Sequence, residues 1–137
     1  MQLSLQCGPT YAADILLVGS QSSKAETTFK MLVELGCDPY RVITVIDNQQ
    51  AMIRFQQGPC DLIFMDFQLP SIDGFESVRS IRELERRHRK PSIPIVAFCG
   101  RMTITDRNLA EAAGVNDFLF KPFQISDLRD VIETYVN

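Results

Sequence analysis

The chain has 137 residues, 45% of them hydrophobic and 23% charged, with a formal net charge of -3. That length suits one ordinary domain with room for a proper core, and the composition excludes wholesale disorder. The mildly acidic balance argues against nucleic-acid binding as the main role, because a phosphate backbone demands a concentrated basic surface.

Residues 1–12 read as a leader or linker and residues 13–137 as the domain. No basic cluster precedes an apolar stretch near the start, so no signal peptide is expected, and no run is long enough to span a bilayer. The first apolar run is Ile15-Leu16-Leu17-Val18. Gly19 to Ser23 follow as a Gly/Ser-rich turn, with Ser22 or Ser23 suited to cap a helix. Such a turn is also a potential anion cradle, because the amides of a helix start point outward. Ala25, Phe29, Leu32 and Val33 then recur at helical spacing up to a stop at Gly36. A second run, Val42 to Ile46, precedes a short helix from an Asn48 cap through Phe55, closed by Gly58-Pro59.

Leu62-Ile63-Phe64-Met65 forms the third run, followed by a helix whose apolar face is Phe75, Val78, Ile81 and Leu84, with Asp73 near its start. This helix ends in a basic cluster, Arg82, Arg86, Arg87, Arg89 and Lys90, around the lone His88. Glu83 and Glu85 stand four residues before Arg87 and Arg89, so a solvated helix end laced with ion pairs is expected. Ile95-Val96-Ala97-Phe98 is the fourth run, and a weaker polar helix around Asp106 to Ala113 closes at Gly114. Phe118-Leu119-Phe120 is the fifth run, and the last helix turns Ile125, Leu128, Ile132 and Tyr135 inward.

Strand and helix thus alternate five times, and each strand is apolar at successive positions, as strands covered on both faces are. Right-handed crossovers then imply an α/β fold, a doubly wound five-stranded parallel sheet with helices on both faces. The flavodoxin-like order 2-1-3-4-5 is the expected solution. Chemistry in such sheets gathers beyond the carboxyl ends of the strands, which directs attention to Gly19–Ser23, Asp66–Gln68, Cys99–Arg101 and Lys121-Pro122. The four cysteines (Cys7, Cys37, Cys60, Cys99) contain no CxxC pair, so neither zinc ligation nor a disulfide framework is indicated, and a reducing cytoplasmic setting is the default.

Three of those loops carry a resemblance. DLIFMDFQLPSIDGFE, IPIVAFCG and GVNDFLFKPF, in that order and spacing, resemble the receiver domain of two-component response regulators over roughly residues 14–136. The basic third helix and the Pro-rich entry to IPIVA look more like receivers attached to hybrid histidine kinases. The resemblance implies Asp66 as phosphoacceptor, with Lys121 and the residue at Cys99 contacting the phosphoryl group. It also implies a cis peptide at Lys121-Pro122, a metal-facing backbone carbonyl at Gln68, and switch positions at Cys99 and Phe118. An acyl phosphate forms by in-line attack of a carboxylate, catalysed by positioning and charge neutralisation, which is why a fixed lysine faces the acceptor.

The sequence also departs from that pattern. Where receivers end their first strand with an acidic pair that binds magnesium, this chain has Gly19 and Ser20, and Cys99 replaces a hydroxyl residue with a weak donor. An intact family pocket balances three carboxylates and one lysine with a divalent ion. This one holds only Asp66 against Lys121, so no cofactor is expected, with Mg2+ relevant only to an active receiver. Flavodoxins bind a flavin phosphate at the position of the Gly19–Ser23 turn, but flavin binding leaves the MDFQLP and KPF motifs without a purpose. The expectation is therefore a degenerate receiver that acts through protein–protein contacts. The alternative is an active receiver phosphorylated on Asp66 by a histidine kinase. A histidine kinase, or its phosphotransfer or output domain, is the expected partner. A dimer through the fourth helix, fifth strand and fifth helix is open, and neither nucleic-acid nor membrane contact is expected.

Overall fold

In the computed structural model the described residues are 11–19, 22–46, 48–67, 72–100 and 102–136. The strands are β1 (Ile15–Val18), β2 (Val42–Val45), β3 (Leu62–Phe67), β4 (Ile95–Cys99) and β5 (Asp117–Phe120). The helices are α1 (Ser22–Leu35), α2 (Asn48–Gln57), α3 (Ile72–Arg87), α4 (Ile104–Ala113) and α5 (Ile125–Tyr135), with a 3-10 turn at Pro39–Arg41. All strands pair in parallel in the order β2-β1-β3-β4-β5, so the expected flavodoxin-like order is the one observed.

Alternate strand residues serve opposite faces, and two apolar clusters result. Leu16, Ile63, Met65, Ile95 and Ala97 face Phe55 of α2, Phe75, Val78, Ile81 and Leu84 of α3, and Ala110 and Ala113 of α4. Ile15, Leu17, Leu62, Phe64, Val96 and Phe98 face Leu32 of α1 and Leu128, Val131 and Ile132 of α5. The central strands β1, β3 and β4 are covered on both sides, which is why their sequences are apolar without alternation. No helix among the described residues is long and apolar enough to cross a membrane.

Helix ends follow local chemistry. Gly36 and Gly114 take φ values of 110° and 123°, where a side chain is strained. Thr103 and Asp106 form a reciprocal capping box at the start of α4. The caps expected of the Ser22, Ser23, Asn48 and Asp73 side chains lie outside the described residues.

Several details correct the sequence reading. Val33 and Ile46 are exposed, at 36% and 55%, because α1 turns Val33 outward and β2 ends at Val45. Tyr11, grouped with the leader, forms a bridge to Cys37 and donates its backbone N–H to the Gly36 carbonyl at 3.0 Å. The largest correction concerns Arg82 and Glu85, which are not part of a solvated helix end. Glu85 is 2% exposed. It accepts from the Arg82 guanidinium at 2.8 and 3.0 Å and from the Ile93 backbone N–H at 2.7 Å. Arg82 also donates to the Gly114 carbonyl and to Asn116 Oδ1, and that oxygen accepts from the Ile95 N–H. Burial of an ion pair is tolerated when its remaining donors and acceptors are satisfied. Here they fasten α3 to the entrances of β4 and β5. The outer turn behaves as expected: Glu83 meets Arg86 at 2.7 Å and Arg87 at 3.9 Å in solvent.

Candidate functional site at the carboxyl ends of the strands

Asp66 is the penultimate residue of β3, aligned with Phe98 of β4, so the strand runs one residue past it. β4 separates β3 from β5 and carries Cys99 at its end, level with Phe67 on one side and Phe120 on the other. The ladder continues past β5: Lys121 donates its backbone N–H to the Cys99 carbonyl at 2.7 Å. Backbone pairing therefore delivers Asp66, Cys99 and Lys121 to one edge from segments far apart in sequence.

The Lys121 ammonium forms a hydrogen-bonded ion pair with Asp66. Both side chains are partly exposed, 24% for Lys121 and 14% for Asp66, so the pair lies within reach of solvent and not in the core. The Lys121-Pro122 peptide is cis, as the resemblance implied. Cys99 is fully buried, and burial pushes its thiol up despite the opposing influence of Lys121 and Arg107.

Gly19 follows β1 directly and donates its N–H to the Val45 carbonyl at 3.0 Å. Val18 is level with Met65, so Gly19 is level with Asp66. Leu17 and Phe64, two residues earlier on each strand, share one face of the sheet. Residue 19 and Asp66 therefore share that face too, and Gly19 supplies no side chain there. Gly19 and Asp66 line one small crevice with Leu17, Thr28, Phe64 and Phe98. Ser20 and Gln68, the other positions assigned to the metal site, lie outside the described residues. Among the described residues no group of three or more His, Cys, Asp or Glu side chains is placed to hold a metal ion. The donor set at the described positions is one carboxylate already matched by one ammonium, which is a poor fit for magnesium.

Phe118 is buried against the α4 side of the sheet and stacks on Phe120 at 6.2 Å between centroids. The guanidinium of Arg107, on α4, lies 4.8 Å from the centre of the Phe118 ring and pairs with Glu111 at 3.6 Å. Sequence reading missed this contact. Arg107 and Glu111 stand at helical i, i+4 spacing, but nothing in the sequence aligns that helix with β5.

A family model described as the response regulator receiver domain matches residues 15–133. Hybrid signal transduction histidine kinase L of Dictyostelium discoideum is 30% identical over 124 residues, covering 88% of this chain and 7% of that protein. The transcriptional regulatory protein TcrA of Mycobacterium tuberculosis is 30% identical over 122 residues, covering 89% of this chain and 45% of that protein. The chain thus spans less than a tenth of the former and less than half of the latter. Among solved structures, the receiver domain of a sensor histidine kinase from Pseudomonas aeruginosa, with magnesium coordinated in its active-site cleft, superposes with a TM-score of 0.76. Its identity is 32%, and the match covers 91% of this chain and 98% of that one.

Proposed function

Because this chain belongs to the response regulator receiver domain family of two-component signalling, we propose that it is a degenerate receiver, acting by protein–protein contact without a phosphorylation cycle at Asp66. The observation that carries this reading is the absence of a carboxylate at Gly19, level with an Asp66 whose charge Lys121 already neutralises. A metal clamp contributes several kcal/mol to such transfers. A missing phosphoryl-facing donor, as at Cys99, removes roughly 3 kcal/mol more by analogy with oxyanion sites. At ~1.4 kcal/mol per decade these losses together slow phosphorylation by about 10⁴-fold or more.

The partner under this reading is a histidine kinase, or its phosphotransfer or output domain, in the cytoplasm. Hybrid kinases among the relatives support the partner, and the free thiols of Cys37, Cys60 and Cys99 suit a reducing compartment. A second reading, an active receiver, is favoured by the intact Asp66–Lys121 contact and by the 32% identity to a receiver that holds magnesium. The two separate on incubation with magnesium and either acetyl phosphate or beryllofluoride, followed by intact-mass and fluorine NMR measurement. The degenerate receiver gives no adduct. An adduct on Asp66 that vanishes in Asp66→Asn establishes the active one.

A further inference from the structure

Charge is unevenly distributed along the chain. Residues 79–90 hold six of the fourteen basic side chains and only two of the seventeen acidic ones, so a mildly acidic domain bears one basic face. That face borders an open groove of about 670 Å³ between α2, α3 and α4, away from the Asp66 pocket. Its apolar lining, Met52, Leu84, Ala112 and Ala113, is interspersed with Gln56 and Ser80, and exposed Arg79, Arg86 and Arg87 stand at its edge.

The rim cations are incompletely matched. Glu83 alone serves both Arg86 and Arg87, all three solvent-exposed, and exposed pairs of this kind are weak enough for an incoming carboxylate to displace. Arg79 has no ion-pair partner among the described residues. Arg82 behind them is committed to Glu85 and Asn116 and acts as wall, not ligand.

We propose that this groove docks an acidic amphipathic helix of a partner protein, with apolar side chains on the apolar lining and carboxylates at Arg79, Arg86 and Arg87. Two further features select that occupant. The small Ala112 and Ala113 on α4 allow a helix to approach closely, and Met52 and Leu84 beside them reward its apolar stripe, which a purely polar anion does not supply. The other residues of the chain carry fifteen acidic and eight basic side chains, so an extended polyanion such as nucleic acid meets repulsion beyond the groove, whereas a short helix does not. This surface is independent of whether Asp66 is phosphorylated.

The full chain, labelled with nitrogen-15, is titrated with a synthetic capped helix bearing leucine on one face and glutamate on the other. Matched peptides with lysine for glutamate, or glutamine for leucine, serve as comparisons. Expected are amide shifts confined to α2, α3 and α4, and binding at least about tenfold tighter than to either comparison peptide. Arg86→Gln/Arg87→Gln is expected to lose about tenfold, and Ala112→Glu, an exposed helical site, to lose binding while keeping the native spectrum. Equal affinity for all three peptides, shifts centred elsewhere, or tighter binding to a DNA duplex overturns the proposal. So does concentration-dependent self-association abolished by Ala112→Glu, which assigns the groove to a second copy.

Discussion

Gly19→Asp tests the electrostatic reading of the pocket directly. Gly19 is not among the described glycines with positive φ, so a side chain there carries no left-handed backbone strain. Sheet register sets the new carboxylate level with Asp66 and on the same face, and neighbouring strands lie about 4.8 Å apart, a spacing at which two carboxylates flank one cation. A divalent ion about 4 Å from the added charge gains roughly 8 kcal/mol at an effective dielectric of 20, twice the value for unit charges. Magnesium releases its waters reluctantly, so most of that gain is returned as dehydration. A net of about 2.7 kcal/mol moves the dissociation constant from roughly 0.1 M to roughly 1 mM.

That difference is visible by thermal unfolding. At about 10 mM magnesium the variant gains about 1.4 kcal/mol, and the parent about 0.1 kcal/mol or less. For a domain of this size the variant's midpoint rises by about 5 °C. Gly19→Asn supplies the same volume without the charge, and sodium chloride at equal ionic strength controls for screening. In chelator the variant is expected to melt slightly below the parent, since two carboxylates then share one Lys121. A parent shift as large as the variant's, or an equal shift in Gly19→Asn, refutes the charge reasoning. No shift in Gly19→Asp refutes the alignment of residue 19 with Asp66.

The buried Glu85 is the most sensitive point of the scaffold. Glu85→Ala leaves Arg82 buried without its counter-charge, an expected loss of about 3–5 kcal/mol in urea unfolding, most of it recovered in Glu85→Ala/Arg82→Met. Asp14 is held below the usual carboxylate range by its hydrogen bonds from Arg41 at 2.9 and 3.2 Å. Its pairing energy is therefore present above the unfolded pKa and lost as pH falls through the lowered folded value. Arg41→Met should flatten the acid limb of stability measured from pH 5 to 2, and an unchanged limb contradicts the pairing. Burial pushes the Cys37 and Cys60 thiols up to about 11 and raises Cys99 as well. Near pH 8 those first two hold about a hundredfold less thiolate than an ordinary thiol, so all three should react slowly with a disulfide reagent until urea is added. Cys37 and Cys99 are buried and Cys60 partly so, and rapid native labelling at Cys37 or Cys99 contradicts that burial.

Much of this was legible from sequence, for identifiable reasons. Apolar runs without alternation, each followed by a helical pattern, point to parallel strands covered on both faces, which β1, β3 and β4 are, while the edge strands β2 and β5 keep exposed positions. The Asp66–Lys121 meeting followed because the two residues stand at the carboxyl ends of β3 and β5, which flank β4, where backbone pairing leaves little freedom. What escaped were contacts decided by helix rotation and tilt. Arg82 and Arg86 stand four residues apart in one basic run, yet one is locked under Gly114 and the other lies in solvent. Composition cannot distinguish them, since the burial of Arg82 depends on where α4 ends. Arg107 reaches Phe118 for the same kind of reason: α4 is polar enough that its sequence does not announce which face meets β5.

The two ends of the sheet dispose of charge differently, and the difference bears on how this domain signals. At the strand entrances Asp14 pairs with Arg41, Arg82 donates to Glu85 and Asn116, and Glu85 also accepts from the Ile93 backbone N–H, so the charges at that end are matched within the scaffold. A receiver's opposite end works by holding surplus negative charge whose balance changes when a phosphoryl group arrives, drawing the hydroxyl of β4 and releasing the aromatic of β5. Here Asp66 and Lys121 already cancel, Cys99 is buried with a thiol that burial keeps protonated, and Phe118 is covered by Arg107. On the degenerate reading proposed above, the missing carboxylate at residue 19 and the missing hydroxyl at residue 99 leave the surface offered to others to carry information, the basic α3 groove among them.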